Sequence, residues 1–328
     1  MTDKVKLCMI GAGGHSSRNI YPCFPVLKNV EVSANADLNL ERAKDVAVKN
    51  GIPRSYGDYH EMLDKEKPDG VVVCVGPDFH AKCAIELMRA GFHVCTEKPP
   101  AVSLKQCLEV VNVQKQTGKI CMTAFKKRFA PAGVKLKQVV ESADFGKAST
   151  ISVFRTRDNK GKNLDDCLKY ILDSGIHMFD LVAWLFGPAV SVQAIRNEPT
   201  SVAVLANFAN GAVGTMLFPT TLSNQRIWEE ITVTGSGGVF ARMENSTEMM
   251  AFKKEQPIAA YKPEWCFASC DSSAEMGFIP ELQAFVEAVR SGNKPESSVE
   301  SVVPGMALLE ATMESLRSGK NVSVEGLK

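Results

Sequence analysis

Apolar and polar positions along the chain fall into two regimes. In the first, short apolar runs alternate with segments of helical period. Val5–Ile10 is β-branched and apolar, Val30–Asp37 alternates at its start and ends on an acid, and Gly70–Gly76 is continuously apolar. A continuous run of that kind is the pattern of a parallel strand buried on both faces. His93–Lys98 and Lys119–Phe125 extend the series, and Arg54–Tyr56 reads as a short strand. Helices fall between them. His15–Leu27 is irregular in its second half, where Pro22 and Pro25 each remove a donor. Leu40–Asn50 is stopped by Gly51, a short helix near Met62 is capped by Asp58, His80–Gly91 follows, and Ser103 caps one more. This alternation predicts a doubly wound parallel sheet with right-handed crossovers.

From about Gly146 the texture changes to strand after strand. Lys147–Arg157, Val190–Asn197, Val202–Asn210, Ala212–Pro219, Arg226–Thr234 and Val239–Met243 read as strands, with Asn210–Gly211 as a hairpin turn. One insertion, Asp158–Pro188, carries a loop and a helix, and two helices, Phe278–Arg290 and Ser301–Leu316, close the chain. The expected architecture is α/β: a doubly wound parallel sheet over residues 1–124, then an α+β domain over 125–328. That second domain is expected to hold a large, mainly antiparallel open sheet, and strands such as Ala212–Phe218, apolar on both faces, predict sheet burial between subunits.

Composition narrows the function. The chain has 328 residues, 45% hydrophobic and 23% charged, which is ordinary for a globular protein. A formal net charge of +1 gathers neither nucleic acid nor an anionic membrane. No apolar run is long enough to span a bilayer, and the N-terminus enters a strand without a secretory segment, so a cytoplasmic protein is expected. The ten cysteines are scattered, and Cys8, Cys74, Cys95 and Cys121 sit inside apolar runs. None forms C-x-x-C, and the closest pair, Cys266 and Cys270, lacks a second ligand pair. They read as reduced core thiols, with no metal site expected.

The chemistry begins where the first strand meets Gly11-Ala12-Gly13-Gly14. A glycine turn between strand and helix lets backbone N–H groups approach a pyrophosphate. The position that usually holds a third Gly or Ala is Ser16, and His15 is unusual beside it. Asp37 lies about twenty residues beyond the turn, where a carboxylate holds an adenosine ribose and repels a 2′-phosphate. Asp37 equally reads as a cap for the next helix, and Arg42 is close enough in sequence to meet a phosphate.

Two further stretches stand out. Thr96-Glu97-Lys98-Pro99-Pro100 ends the fifth parallel strand, so Lys98 points to a cofactor crevice or is a surface lysine at a strand end. In the insertion helix, Asp173, His177 and Asp180 follow offsets of four and three, which puts them on one polar stripe of an otherwise apolar helix. The plainer alternatives are that Asp173 caps that helix and that His177 is a core histidine.

These motifs together resemble the glucose–fructose oxidoreductase/inositol dehydrogenase family (Gfo/Idh/MocA) over nearly the whole chain. The glycine turn, the Val75–His80 segment, Glu97-Lys98-Pro99 and Asp173-x-Gly175-x-His177-x-x-Asp180 occur in the family's order. The resemblance implies an N-terminal Rossmann domain and an open antiparallel sheet domain. It implies Lys98, Asp173 and His177 as the catalytic set. Cofactor contacts are implied from Gly11, Ala12, Gly13, Gly14, His15, Asp37, Val75, Gly76, Pro77, His80, Glu97 and Lys98. The cofactor is then NAD, with NADP possible through Arg42, and the substrate a sugar, inositol or related polyol. Lys126 departs from the pattern, standing where many members have Asn; it is either a further cation in the pocket that favours an acidic or phosphorylated substrate, or part of a solvated basic turn with Lys127 and Arg128.

The expected function is hydride transfer between a nicotinamide cofactor and a hydroxyl-bearing carbon, in a homodimer or homotetramer. Two alternatives stand beside it: a glycosidase or lyase that uses bound NAD for transient oxidation, and a non-catalytic NAD-binding regulator.

Overall fold

The computed structural model describes residues 4–157, 163–197, 201–220, 227–263 and 272–327. Cys266 and Cys270 lie outside them. The chain packs as two compact units, Met1–Lys126 with Gly277–Ser301, and Lys127–Met276 with Val302–Lys328.

In the first unit, strands β1 (Val5–Ile10), β2 (Val30–Ala36), β3 (Arg54–Tyr56), β4 (Gly70–Val73), β5 (His93–Glu97) and β6 (Cys121–Ala124) form one sheet in the order β3-β2-β1-β4-β5-β6. Every neighbouring pair is parallel. The order reverses direction between β1 and β4, which places the switch point of the doubly wound sheet there. Helices α1 (Gly14–Asn19), α2 (Leu40–Asn50), α3 (Tyr59–Glu66), α4 (Pro77–Arg89) and α5 (Leu104–Thr117) connect the strands. Their ends follow local chemistry: Asp58 accepts from the His60 N–H, Ser103 from the Gln106 N–H, and Gly51 and Gly118 end their helices in the left-handed conformation. The first helix stops at Asn19 and continues as a 3₁₀ segment, Tyr21–Val26, containing both prolines. The late segment 277–301, read from sequence with the second half of the chain, counts with this unit.

The second unit is built on β7 (Ala148–Thr156), β8 (Ala189–Arg196), β9 (Val202–Phe208), β10 (Val213–Phe218), β11 (Trp228–Gly235), β12 (Val239–Glu244), β13 (Glu248–Lys253), β14 (Gln256–Tyr261) and β15 (Val322–Ser323). Their order is β14-β13-β12-β11-β7-β10-β9-β8-β15, antiparallel throughout except for the β7–β10 pair. The last three strands were not foreseen from sequence, nor was helix α6 (Pro131–Val140). Ile151, Val153, Val204, Met216, Ile231 and Val233 alternate onto the buried face. The other face leaves Phe154, Leu205, Leu217, Phe240 and Met250 exposed. The expected insertion helix is three pieces: α7 (Leu164–Tyr170), a π-helical turn Ile171–Gly175, and α8 (Ile176–Phe186). The remaining helices are α9 (Ser272–Glu275), α10 (Phe278–Ser291) in the first unit, and α11 (Val303–Ser318). A Cβ at Gly305 would lie 2.8 Å from the Asp180 Cα, so α11 meets α8 at backbone contact. Among the described residues no helix is long and apolar enough to cross a membrane.

Candidate functional site

The glycine turn is held from several sides. Gly11 has φ +99°, and a Cβ there would lie 2.1 Å from the Cys74 carbonyl oxygen, so both the conformation and the approach to the end of β4 require glycine. A Cβ at Gly13 would meet no protein atom within 4 Å, so this residue borders open space. Ser16 is fully buried, and its hydroxyl lies 3.2 Å from the Gly11 carbonyl and 3.0 Å from that of Gly13. The Tyr21 hydroxyl adds a third hold, donating to the Gly11 carbonyl at 3.1 Å. A serine in the third small position therefore does what closeness alone would do for glycine: it ties both ends of the turn to the helix.

Asp37 does not cap α2; Asn39 does, accepting from the Arg42 N–H. One oxygen of Asp37 accepts from the Ala12 N–H at 2.7 Å, and the other from the Asn39 N–H at 2.8 Å and from Arg42 at 2.7 Å. Burial pushes this carboxyl up, but the hydrogen bonds from Ala12, Asn39 and Arg42 outweigh it and hold it below the usual range. Three accepted bonds leave a carboxylate room for about one more donor. Arg42 is thus the partner of Asp37, and it is half exposed.

At the end of β5, Glu97 is buried and accepts from His15 Nε2 at 3.1 Å and from the Lys98 N–H at 3.1 Å. Burial raises the Glu97 carboxyl, while His15 and Lys98 hold it down, with a net lowering. Asn19 Nδ2 lies 3.2 Å from His15 Nδ1, which suits Nδ1 as acceptor and Nε2–H as the hydrogen-bond donor to Glu97. His80 is also buried, with Nδ1 2.8 Å from the Pro99 carbonyl, and burial lowers its affinity for a second proton. The Lys98–Pro99 bond is cis, and the Lys98 side chain is half-buried. Val75, Gly76 and Pro77 form the turn into α4, with Gly76 as its N-cap residue. Lys126 places its ammonium 4.0 Å from the Phe278 ring centroid. The residues named for the cofactor thus gather at the carboxyl ends of β1, β2, β4 and β5.

The second unit corrects three expectations. Asp173, His177 and Asp180 do not form one polar stripe, because a π-helical turn interrupts the regular helix between the first two. Asp180 is instead buried in a two-pronged pair with Arg128, Nε to Oδ2 at 2.9 Å and NH2 to Oδ1 at 2.6 Å. Burial pushes the Asp180 carboxyl up against the pull of that guanidinium. Asp173 and His177 stay half-buried, and Asp173 is not a helix cap: α8 starts after Gly175 without a side-chain cap. Nor do Lys127 and Arg128 form a solvated basic turn; they are 6% and 2% exposed.

Lys127 and Arg155 share the buried carboxylate of Glu229, with Arg155 Nε at 2.8 Å and Lys127 also donating to Ser246. Arg155 also donates to the Tyr170 hydroxyl at 3.0 Å and the Ser174 hydroxyl at 2.9 Å, and Arg157 donates to Ser174 at 2.7 Å. The sequence reading passed over this network, yet a signal was present. Arg155 continues the inward series Ile151, Val153, and Glu229 precedes the inward series Ile231, Val233. Period two alone puts both charges inside, and they face each other in register.

Comparison with known proteins agrees with this layout. Residues 5–125 match a family model described as oxidoreductase family, NAD-binding Rossmann fold, and residues 167–324 match the same family's C-terminal alpha/beta domain. A myo-inositol 2-dehydrogenase of Thermotoga maritima is 26% identical over 317 residues, covering 89% of this chain and 90% of that protein. Among solved structures, an oxidoreductase from Agrobacterium radiobacter in complex with NAD+, L-tartaric acid and magnesium superposes with TM-score 0.84 at 19% identity, covering 99% of this chain and 100% of that one. A levoglucosan dehydrogenase in complex with NADH and L-sorbose has TM-score 0.84 at 19% identity, covering 98% and 99%. With both halves matched in order, and the glycine turn, Asp37 and Glu97-Lys98-Pro99 set at the strand ends, the chain belongs to the Gfo/Idh/MocA family of oxidoreductases, whose N-terminal domain is an NAD-binding Rossmann fold.

Proposed function

We propose that the protein is a dehydrogenase that uses NAD to oxidise a hydroxyl-bearing carbon of a sugar, inositol or related polyol. The observation that carries the reading is the glycine turn: Gly11 can be only glycine, Gly13 borders open space, and Asp37 holds the Ala12 N–H beside them. That arrangement fits a dinucleotide, with the backbone N–H groups at Gly13 and Gly14 facing its pyrophosphate and Asp37 its ribose. The substrate class is supported by the inositol dehydrogenase of Thermotoga maritima and similar enzymes of Saccharopolyspora erythraea and Klebsiella pneumoniae.

NAD+, when bound, supplies the hydride acceptor. The chain supplies position and proton handling. In this reading His177 is the base for the substrate hydroxyl proton, and Lys98 is the cation that stabilises developing alkoxide charge. Asp173 orients the imidazole or holds a neighbouring hydroxyl. His15, Val75, Gly76, Pro77, His80 and Glu97 shape the cofactor side, and Lys126 faces substrate. The exposed apolar face of the nine-stranded sheet supports a homodimer or homotetramer, and the eight reduced cysteines among the described residues suit a reducing, cytoplasmic setting.

The deciding experiment is a turnover screen of polyols, sugars and sugar acids with NAD+ and with NADP+, following absorbance of the reduced nicotinamide. Net NADH formation on a polyol is the expected result. Substrate conversion without net NADH would replace the dehydrogenase by an enzyme of transient oxidation, and tight NAD binding with no conversion of any substrate would leave a regulator.

A further inference from the structure

We propose that Arg155 is a positioning residue, whose guanidinium clamps the π-helical turn that carries Asp173. The inference rests on the proposed role of Asp173 and His177, and its test includes a readout independent of that role.

Arg155 sits on β7, is 2% exposed, and spends its planar fork in three directions. Nε donates to Glu229 on β11, which fixes the plane of the guanidinium from within the sheet. NH1 donates to the hydroxyl of Tyr170, the residue just before the turn, and NH2 to that of Ser174, inside it. One rigid group therefore grips the Ile171–Gly175 turn on both sides of Asp173. Ser174 is itself buried and is held a second time by Arg157.

The turn needs such a grip. A π-turn carries one residue more than the α-helical ladder and is rarely stable by itself. Relaxing it to regular α-helix would rotate the side chains before it by about 100° relative to those after it. Asp173 lies inside the turn and His177 just after it. Their mutual orientation is therefore set by whether the turn persists. Lysine cannot replace arginine here, since a point-like ammonium has no fork with which to hold Glu229, Tyr170 and Ser174 in one plane.

The test uses the full chain with Arg155→Lys, which keeps the charge beside Glu229, and Tyr170→Phe with Ser174→Ala, which cuts both tethers from the other side. Hydrogen–deuterium exchange at the amides of residues 173–178 is read together with kcat, KM and NAD affinity. Arg155→Lys is expected to speed exchange in that segment at least about tenfold while leaving α11 protected, and to lower kcat about tenfold to hundredfold with KM and NAD affinity nearly unchanged. The Tyr170→Phe/Ser174→Ala variant should reproduce both effects, and adding Arg155→Lys to it should cost little more. Unchanged exchange at 173–178 in Arg155→Lys overturns the clamp, as does loss of protection throughout the second unit, which would mean a general structural role. Should Arg155→Lys not fold, the Tyr170→Phe/Ser174→Ala variant alone decides, by the same readings. If wild-type protein oxidises no polyol, the proposed function falls while the exchange data still decide the clamp.

Discussion

Arg42 rests its guanidinium on the carboxylate of Asp37 at 2.7 Å, while the opposite oxygen of Asp37 holds the Ala12 N–H. The acid thus has two jobs, one electrostatic and one in the shape of the turn. Wild-type protein is expected to bind NAD more tightly than NADP, because Asp37 repels a 2′-phosphate. Asp37→Asn keeps an oxygen for Ala12 and removes the charge, so it should narrow the NAD-to-NADP ratio about tenfold with NAD affinity retained. Asp37→Ser should narrow the ratio and weaken both cofactors, since the shorter side chain gives up the Ala12 bond. Titration calorimetry reads both effects, and tighter wild-type binding of NADP would overturn the assignment.

For the proposed catalytic set, Lys98→Ala and His177→Ala should each slow turnover by about two to four decades. NAD affinity should hold in His177→Ala, because that residue belongs to the second unit, and fall in Lys98→Ala, whose residue follows β5 beside the cofactor groups. Steady-state kinetics with a parallel binding titration separates the two. A folded His177→Ala enzyme at full rate would remove the histidine from proton transfer and leave Lys98 as the acceptor.

The acid behaviour of the second unit should report Glu229. Burial pushes this carboxyl up, but Lys127 and Arg155 outweigh it and bring it from 4.5 down to about 2. A carboxyl depressed in the folded state contributes stability above its unfolded value and loses it as pH falls through the folded one. Glu229→Gln should therefore be less stable than wild type at pH 7 by about 3–5 kcal/mol, since two buried cations lose their anion. That gap should shrink as pH drops from 4.5 toward 2. Urea denaturation across this range measures it, and a gap independent of pH would show that Glu229 is not the titrating group.

Much of the molecule could be read from the chain because its signals are local. Asp58, Ser103, Gly51 and Gly118 mark helix ends by contacts within one turn, and the glycine turn announces itself within four residues. The parts that escaped depend on distant partners or on backbone shapes without a residue signature. Arg155 and Glu229 are 74 positions apart, and Arg128 and Asp180 are 52 apart. A π-turn has no composition of its own, so Asp173, His177 and Asp180 looked like one regular stripe. The β12–β13 and β13–β14 connections were missed for a related reason. Asn245 and Ser246, then Lys254 and Glu255, take positive φ where glycine usually signals such a turn.

Assembly supplies a further test. On adjacent strands, Phe154, Leu217, Ala203 and Ile195 pair in register, so these side chains form a continuous apolar row across the exposed face. Such a patch is expected to be covered by a second copy of the chain. Light scattering at micromolar protein should give a dimer or tetramer. Leu217→Glu should shift the population toward monomer, and a wild-type monomer would contradict the proposal.

The first unit is not finished by the first part of the chain. Phe285 on α10 lies against Gly70 of β4, where a Cβ would come within 3.1 Å of its ring, and Gln283 bonds both main-chain groups of Lys28. On the ribosome, the parallel sheet will have been synthesised long before these residues emerge. At about 5–20 residues per second, the delay between β6 and α10 is roughly ten to thirty seconds. Through that interval the sheet surface around Gly70 lacks the Phe285 side chain that covers it in the finished fold.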